Sequence, residues 1–173
     1  MFSNTPIDYS DRARFYAELL SELDGIVGNG RREAWFTNLA NASALLMAHL
    51  PRLNWAGFYL ASGEELVLGP FQGMPACLRI PFGKGVCGTA ARDREAVLVD
   101  DVEAFPGHIA CDARSRSELV LPLLLTAPGG VRVLGVLDLD SPETGRFDER
   151  DLAGLLPIVQ LLVARTTWPP SFN

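Results

Sequence analysis

The spacing of apolar residues changes period twice along the chain, and this pattern restricts the fold more than any other feature. Apolar residues recur at helical spacing over residues 9–28, 31–50 and 148–165. Between them, residues 54–140 carry about six strand-like segments, several of them joined by tight turns. Because hairpin-linked strands form antiparallel sheets, the pattern predicts an α+β fold in a single domain spanning residues 1–173.

The helices and the loops are expected on opposite faces of this predicted central, antiparallel, six-stranded sheet. The N- and C-terminal helices are expected to cover one face. In the last helix, Asp148 is a natural N-cap with Asp151 three residues later, and Pro157 should bend the helix. A short helix near residues 83–93 and a loop over residues 100–115 remain for the other face, so we expect a ligand pocket under these loops.

The composition argues against several kinds of partner. The chain has 173 residues, of which 48% are hydrophobic, and a net charge of −6 with scattered basic residues, which disfavours nucleic acid. Residues 1–14 are polar and lack the apolar segment of a signal peptide. The longest apolar run, Leu119–Leu125, is too short to span a membrane. The sequence therefore predicts a cytoplasmic protein.

The chain has three cysteines, Cys77, Cys87 and Cys111, all in its middle part. An odd number does not complete a structural disulfide framework, and the C-x-x-C pairs of many zinc sites are missing. In a reducing cytoplasm, thiols near loops indicate redox turnover, in which one thiol attacks and another resolves. A zinc site that includes His108 is the weaker alternative, and no metal or cofactor is expected.

Cys87 lies in a glycine-rich turn, residues 83–88, with the pattern G-x-G-x-x-G. A dinucleotide site is disfavoured because the following helix is short and the predicted sheet is antiparallel. A helix N-terminus and Lys84 would both lower the pKa of the Cys87 thiol, so these residues alone favour Cys87 as the nucleophile. Cys111 has a histidine and two arginines nearby in the sequence, which can also stabilise a thiolate.

Acidic residues gather at one end of the last predicted hairpin. Asp138 and Asp140 share one face of their strand, and Glu118 begins the partner strand. Such a cluster either binds a cation or shares protons, and both behaviours suit a functional site. Trp55 and Tyr59 lie on one face of the first strand, where they form either part of the core or a pocket wall for an alkyl-sulfur group.

The chain resembles GAF domains in four segments, residues 54–59, 85–90, 108–118 and 135–141. The spacing of the three cysteines is more specific, and it resembles that of the free methionine-(R)-sulfoxide reductases. The resemblance covers nearly the whole chain, although the hairpin tip at residues 126–131 is slightly longer than usual. It implies a GAF-like fold and a homodimeric, cytoplasmic enzyme that reduces free methionine sulfoxide, with thioredoxin as the reductant.

The resemblance also implies the roles of individual residues. Cys111 would be the nucleophile, Cys77 its resolving partner and Cys87 an alternative partner. The substrate pocket would contain Trp55, Tyr59, Glu118, Asp138 and Asp140. A neutral carboxylic acid among them would protonate the sulfoxide oxygen, and a charged carboxylate would pair with the ammonium group of the substrate.

Two other functions remain open from the sequence. A non-catalytic GAF domain that senses a small ligand would share the fold, but it would leave the three thiols unexplained. A thiol-based redox or metal sensor would use the thiols without turning over a substrate. Product formation from methionine sulfoxide and metal analysis of the purified protein distinguish these alternatives.

Overall fold

The structure of the protein is a computed structural model that describes residues 7–27, 35–109 and 111–170. The helices in these residues are α1 Arg12–Val27, α2 Trp35–His49, α3 Gly85–Asp93 and α4 Glu149–Arg165. The strands are β1 Trp55–Ser62, β2 Glu65–Gly73, β3 Arg79–Pro81, β4 Val97–Val99, β5 Ser117–Ala127 and β6 Gly130–Ser141. Within the described ranges, no helix combines the length and the apolar character that crossing a membrane requires.

The strands form one antiparallel sheet in the order β3-β2-β1-β6-β5-β4. The long hairpin of β5 and β6 packs beside β1, near the centre of the sheet. In this hairpin Glu118 pairs with Asp140, and Val120 pairs with Asp138. Because directly and diagonally paired residues lie about 4.5–8 Å apart on one face, the register brings the three carboxyl groups together.

The two faces of the sheet carry different layers. Ala56, Phe58 and Leu60 of β1 pack in the core formed with α1, α2 and α4. Trp55 and Tyr59 lie on the opposite face, in a second core formed with α3 and the loops. This arrangement confirms the predicted α+β fold, with the terminal helices on one face and the loops on the other.

Side-chain caps determine where two of the helices begin. The Oδ1 atom of Asp11 accepts the backbone N–H of Arg14 at 3.1 Å, so α1 begins at Arg12, later than the apolar pattern predicts. Asp148 and Asp151 form the predicted capping box of α4. The start predicted for α2 and the glycines predicted to end α1 lie outside the described residues.

Asp151 also ties α1, α4 and the preceding loop together. Its buried carboxylate accepts hydrogen bonds from Oη of Tyr16 at 2.6 Å and from Nη1 of Arg146 at 3.0 Å. The backbone N–H of Arg146 donates to Oγ of Ser117 at 3.4 Å. Because Ser117 directly precedes Glu118, this buried network holds the start of β5, where the acidic cluster begins.

Candidate active site

A tight turn brings α3 close to the edge of the sheet. Gly83 and Gly85 have φ angles of +79° and +60°, a region that favours glycine. A Cβ atom on Gly88 would lie 2.4 Å from the carbonyl oxygen of Pro81, so a larger residue would push α3 away from β3. Backbone geometry therefore explains the glycine-rich motif, which places Cys87 in the interior of the protein.

A small cavity lies between α3, the 100–115 loop and the paired ends of β5 and β6. Its volume is about 30 Å³, which holds about one or two water molecules and is too small for an amino acid. The predicted site residues that line it are Cys87, Cys111, Glu118, Asp138 and Asp140. The other predicted residues, Cys77, Trp55 and Tyr59, pack behind this lining.

The three carboxyl groups line the cavity together. Burial raises the pKa of Glu118 and of Asp140 well above the usual range, and repulsion from Asp138 adds to both shifts. Burial also raises the pKa of Asp138, to about 6. The Oδ1 atom of Asp138 is buried, and it has no hydrogen-bond partner in the part of the chain that the structure describes. The environment of the cavity therefore favours the protonated form of Glu118 and of Asp140.

Cys87 faces these acids, and the thiol is not activated. Its Sγ–H donates to Oε1 of Glu118 at 3.8 Å. Burial raises the pKa of the Cys87 thiol well above its ordinary value, and the charges of Asp138 and Glu118 raise it further. The prediction that Lys84 and the helix N-terminus lower this pKa is wrong, because burial and the nearby carboxyl groups dominate the environment of the sulfur.

Cys111 is joined to Cys77 by a disulfide bond, with the two Cα atoms 5.3 Å apart. Cys111 lines the cavity, and the hydroxyl group of Tyr59 donates to its Sγ at 3.9 Å. The disulfide is the pairing that the family resemblance implies. In this state neither of its sulfur atoms is a free thiolate, so the zinc site first considered, with all three cysteines and His108, cannot form.

Trp55 and Tyr59 of β1 belong to the buried cluster against which Cys111 packs. Trp55 stacks on Tyr59 and on Phe71, with ring centroids 5.8 Å and 5.3 Å apart, and its Nε1–H donates to the carbonyl of Met74 at 3.1 Å. A Cβ atom on Gly57 would lie 2.3 Å from Cβ of Phe71. The glycine therefore makes room for Phe71 rather than for a ligand, so core packing accounts for this part of the strand.

Several contacts of residues in the 100–115 loop could not be predicted from the sequence. Nε2 of His108 lies 3.7 Å from Oε2 of Glu118, and burial lowers the pKa of His108. The side-chain amide of Asn54 donates to Oδ2 of Asp112 and to Oγ of Ser115, both at 3.0 Å. These contacts hold the loop over the cavity, and no periodic pattern in the loop sequence signals them.

Comparisons with known proteins identify the family. The sequence model of the GAF domain matches residues 37–164. The free methionine-R-sulfoxide reductase of Escherichia coli (strain K12) is 46% identical over 152 residues, which cover 88% of this chain and 88% of that protein. The chain belongs to the GAF-domain family of free methionine-R-sulfoxide reductases. Protein YtsP of Bacillus subtilis (strain 168) is also similar, with 52% identity over 143 residues that cover 82% of this chain and 84% of YtsP.

The fold of this family member also matches solved structures of free methionine-R-sulfoxide reductases. The X-ray structure of the enzyme from Neisseria meningitidis, in complex with its substrate, superposes with a TM-score of 0.83 at 42% identity. The match covers 95% of this chain and 95% of the Neisseria chain. The similarity confirms both the GAF-like fold and the family that the sequence resembles.

The raised pKa of Asp138 leads to a testable effect on the stability of this reductase-family protein. Between about pH 4 and 6, Asp138 is protonated in the folded protein and ionised in the unfolded chain. The stability of the folded protein relative to the unfolded chain is therefore greatest, as far as Asp138 is concerned, below about pH 4, and this contribution is lost as the pH rises through 6. We expect Asp138→Asn to increase the free energy of unfolding at pH 7 by about 1–3 kcal/mol, and to change it little at pH 4. Urea unfolding at both pH values measures the difference.

Asp148 provides the matched control, since its pKa is shifted in the opposite direction. Hydrogen bonds from Arg150 lower the pKa of Asp148 to about 2. This stabilisation is present above about pH 4 and is lost as the pH falls through 2, so Asp148→Asn should be less stable than the wild type at pH 7. A loss of stability in Asp138→Asn at pH 7 would contradict the unfavourable burial that we assign to Asp138.

Proposed function

We propose that the protein reduces free L-methionine (R)-sulfoxide to methionine, with Cys111 as the nucleophile. The observation that carries this proposal is the position of the Cys111 sulfur, which is bonded to Cys77 and lines a cavity that also contains three carboxyl groups. The Escherichia coli and Neisseria meningitidis proteins, which are similar over most of the chain, are named as enzymes of this activity.

The first chemical step transfers oxygen to Cys111. The Cys111 thiolate attacks the sulfoxide sulfur and forms a transient S–S bond, while the sulfoxide oxygen gains a proton. This oxygen then passes to the Cys111 sulfur, and both its bond to the methionine sulfur and the transient S–S bond break. The products are methionine and a Cys111 sulfenic acid. Two electrons move from the cysteine sulfur to the methionine sulfur, so no other oxidant or reductant is needed in this step.

The three acidic residues have different proposed roles in proton transfer and substrate binding. Glu118 is the proposed acid, since burial and the charges of Asp138 and Asp140 raise its pKa and favour its protonated form. Asp138, with a pKa of about 6, is ionised at pH 7 and is the proposed partner of the substrate ammonium group. Asp140, which is paired with Glu118 across the hairpin, contributes to raising the pKa of that acid.

The second step forms the disulfide that the structure contains. The Cys77 thiol condenses with the Cys111 sulfenic acid and releases water. A dithiol protein, which we propose is thioredoxin in a reducing cytoplasm, then reduces the disulfide and is itself oxidised. The neighbours of Cys77 support access for such a partner, because Met74 and Leu78 have exposed fractions of 55% and 76%. Cys87 is the proposed alternative resolving thiol.

The substrate is expected to enter only after this disulfide opens. The cavity of the disulfide form, about 30 Å³, cannot hold methionine sulfoxide. Reduction frees the segments that carry Cys77 and Cys111, and movement of Cys111 would uncover Tyr59 and Trp55 behind it. We propose that these two rings then contact the methyl and sulfur groups of the substrate.

The whole chain, residues 1–173, is proposed to act as one domain and to pair as a homodimer. An open groove of about 490 Å³ lies on the outer side of α1 and α4. Ala17 and Leu20 of α1 and Pro157 of α4 give it an apolar lining that a second copy could cover. Sedimentation equilibrium tests this part of the proposal, and a monomer at micromolar concentration would contradict it.

The epimers and blocked forms of methionine sulfoxide test the activity directly. With the reduced protein and dithiothreitol, we expect the free (R)-sulfoxide to be consumed and the (S)-sulfoxide to remain. Acetylation of the amine removes the charge that pairs with Asp138, so kcat/KM should fall by about 10–100-fold. Chiral chromatography of the remaining sulfoxide and of methionine measures these rates. Binding of the free sulfoxide without methionine release would instead support a sensor.

A further inference from the structure

Three potential metal ligands converge in the cavity wall. One ligand atom each from Cys87, Glu118 and Asp138 lies within 4.8 Å of the other two. The Sγ atom of Cys87 and Oε1 of Glu118 are 3.8 Å apart. Ligand atoms around tetrahedral Zn²⁺ lie about 3.3–3.8 Å apart, because the bonds of about 2.0–2.3 Å meet near the tetrahedral angle. Small side-chain movements would therefore bring all three onto one ion.

An unsatisfied carboxylate oxygen in this cluster points to a missing ligand. Asp138 is 6% exposed, and its Oδ1 atom has no hydrogen-bond partner among the described residues. A buried polar atom without a partner is costly, and a cation would remove that cost. Asp138 lines the cavity, whose volume of about 30 Å³ accommodates an ion and a water molecule but excludes an amino acid.

His108 lies beside this group of three residues, and its side chain would have to turn towards them to supply a fourth ligand. Its Nε2 atom lies 3.7 Å from Oε2 of Glu118, and the side chain is 16% exposed. A neutral imidazole nitrogen is a common ligand of Zn²⁺. Sulfur, nitrogen and carboxylate oxygen together form a donor set that suits Zn²⁺, whereas Mg²⁺ and Ca²⁺ favour oxygen ligands alone.

We propose that Zn²⁺ binds to Cys87, Glu118, Asp138 and His108 and thereby closes the pocket to substrate. On binding, the Cys87 thiol and the Glu118 carboxylic acid each lose a proton to solvent, and zinc–sulfur and zinc–oxygen bonds form without any change of oxidation state. A chelator reverses the reaction. Binding of the ion does not depend on the proposed function. Closing of the pocket does depend on it, because the ion would occupy the carboxyl groups that we assign to substrate binding.

Co²⁺ tests the binding in the disulfide form, where the three cysteines of the sequence leave a single thiol, that of Cys87. We expect one Co²⁺ per chain, an absorption band from thiolate-to-cobalt charge transfer, and loss of the band when Zn²⁺ displaces Co²⁺. Because no other thiol is present, such a band identifies Cys87 as a ligand. Cobalt binding without the band, or no binding at micromolar metal, would overturn the proposal.

Variants identify the other ligands independently of catalysis. Cys87→Ala should abolish the band and weaken Zn²⁺ binding by at least about 100-fold, and Asp138→Asn by at least about tenfold. Asp93→Asn is the matched control, because that carboxylate pairs with Arg92 on the exposed end of α3 and should leave binding unchanged. Thermal unfolding checks that each variant is folded. Unchanged zinc affinity in a folded Cys87→Ala protein would contradict the site.

Inhibition by Zn²⁺ is measured with the reduced protein, because only this form is expected to admit substrate. Zn²⁺ should raise the KM for free methionine (R)-sulfoxide at least about tenfold with little change in kcat, and a chelator should restore it. Metal binding without inhibition would overturn the closing of the pocket and leave the ion site intact. If the metal-free protein produces no methionine, the proposed function fails, while the cobalt measurement still decides the site.

Discussion

Replacing Cys111 with serine is expected to abolish methionine formation. The serine hydroxyl group would not form the thiolate that attacks the sulfoxide sulfur, so the single-turnover rate should fall by at least about 10³-fold. The measurement is a quench experiment in which the reduced variant is mixed with free methionine (R)-sulfoxide and methionine is quantified over time. The reduced wild-type protein should release one equivalent per chain.

Cys77→Ser is the informative comparison for this prediction. Cys111 remains in this variant, so one equivalent of methionine should form at close to the wild-type rate. Multiple turnover with thioredoxin should then be slow, because only the buried and poorly ionised Cys87 can resolve the sulfenic acid. If Cys111→Ser still releases one equivalent of methionine, the assignment of the nucleophile is wrong.

Glu118→Gln should have the second largest effect, lowering kcat by about 10²–10⁴-fold. The amide keeps the size of the side chain, but it has no acidic proton to give to the sulfoxide oxygen. In the wild-type protein, kcat should fall at high pH as the carboxyl group loses its proton, and this dependence should be missing in the variant. Rapid-quench kinetics across a pH range measures both effects.

The control for this variant is Glu65→Gln, which removes a carboxylate that is paired with Arg79 at 2.6 Å on the exposed part of β2 and β3. This change lies outside the cavity, so kcat should stay within about twofold of wild type. A similar loss in both variants would indicate a general effect of charge. Wild-type kcat in Glu118→Gln would show that another group protonates the sulfoxide oxygen.

The fold and the acidic cluster were largely predictable from local sequence. Periodicity located the helices and strands, because apolar residues must face one core. Strand alternation placed Asp138 and Asp140 on one face, and the short hairpin connection fixed their register opposite Glu118. The capping box at Asp148 was also predictable, since it depends on residues close together in the chain.

The state of the thiols was not predictable from local sequence. Cys87 has a lysine and a helix N-terminus nearby along the chain, but its pKa is set by burial and by acids from distant strands. The pairing of Cys77 with Cys111, 34 residues apart, depends on how two loops meet and followed only from the family resemblance. The contact of His108 with Glu118 likewise depends on an irregular loop.

The most direct test of the account is to locate the oxidised sulfur after one turnover. Two double variants, Cys77→Ser/Cys87→Ser and Cys77→Ser/Cys111→Ser, each retain one thiol and are reacted with free methionine (R)-sulfoxide and dimedone, a reagent that labels sulfenic acids. Mass spectrometry should find the label, with one equivalent of methionine, only where Cys111 remains. A labelled Cys87 in the other variant, with an unlabelled Cys111, would show that Cys111 is not the nucleophile.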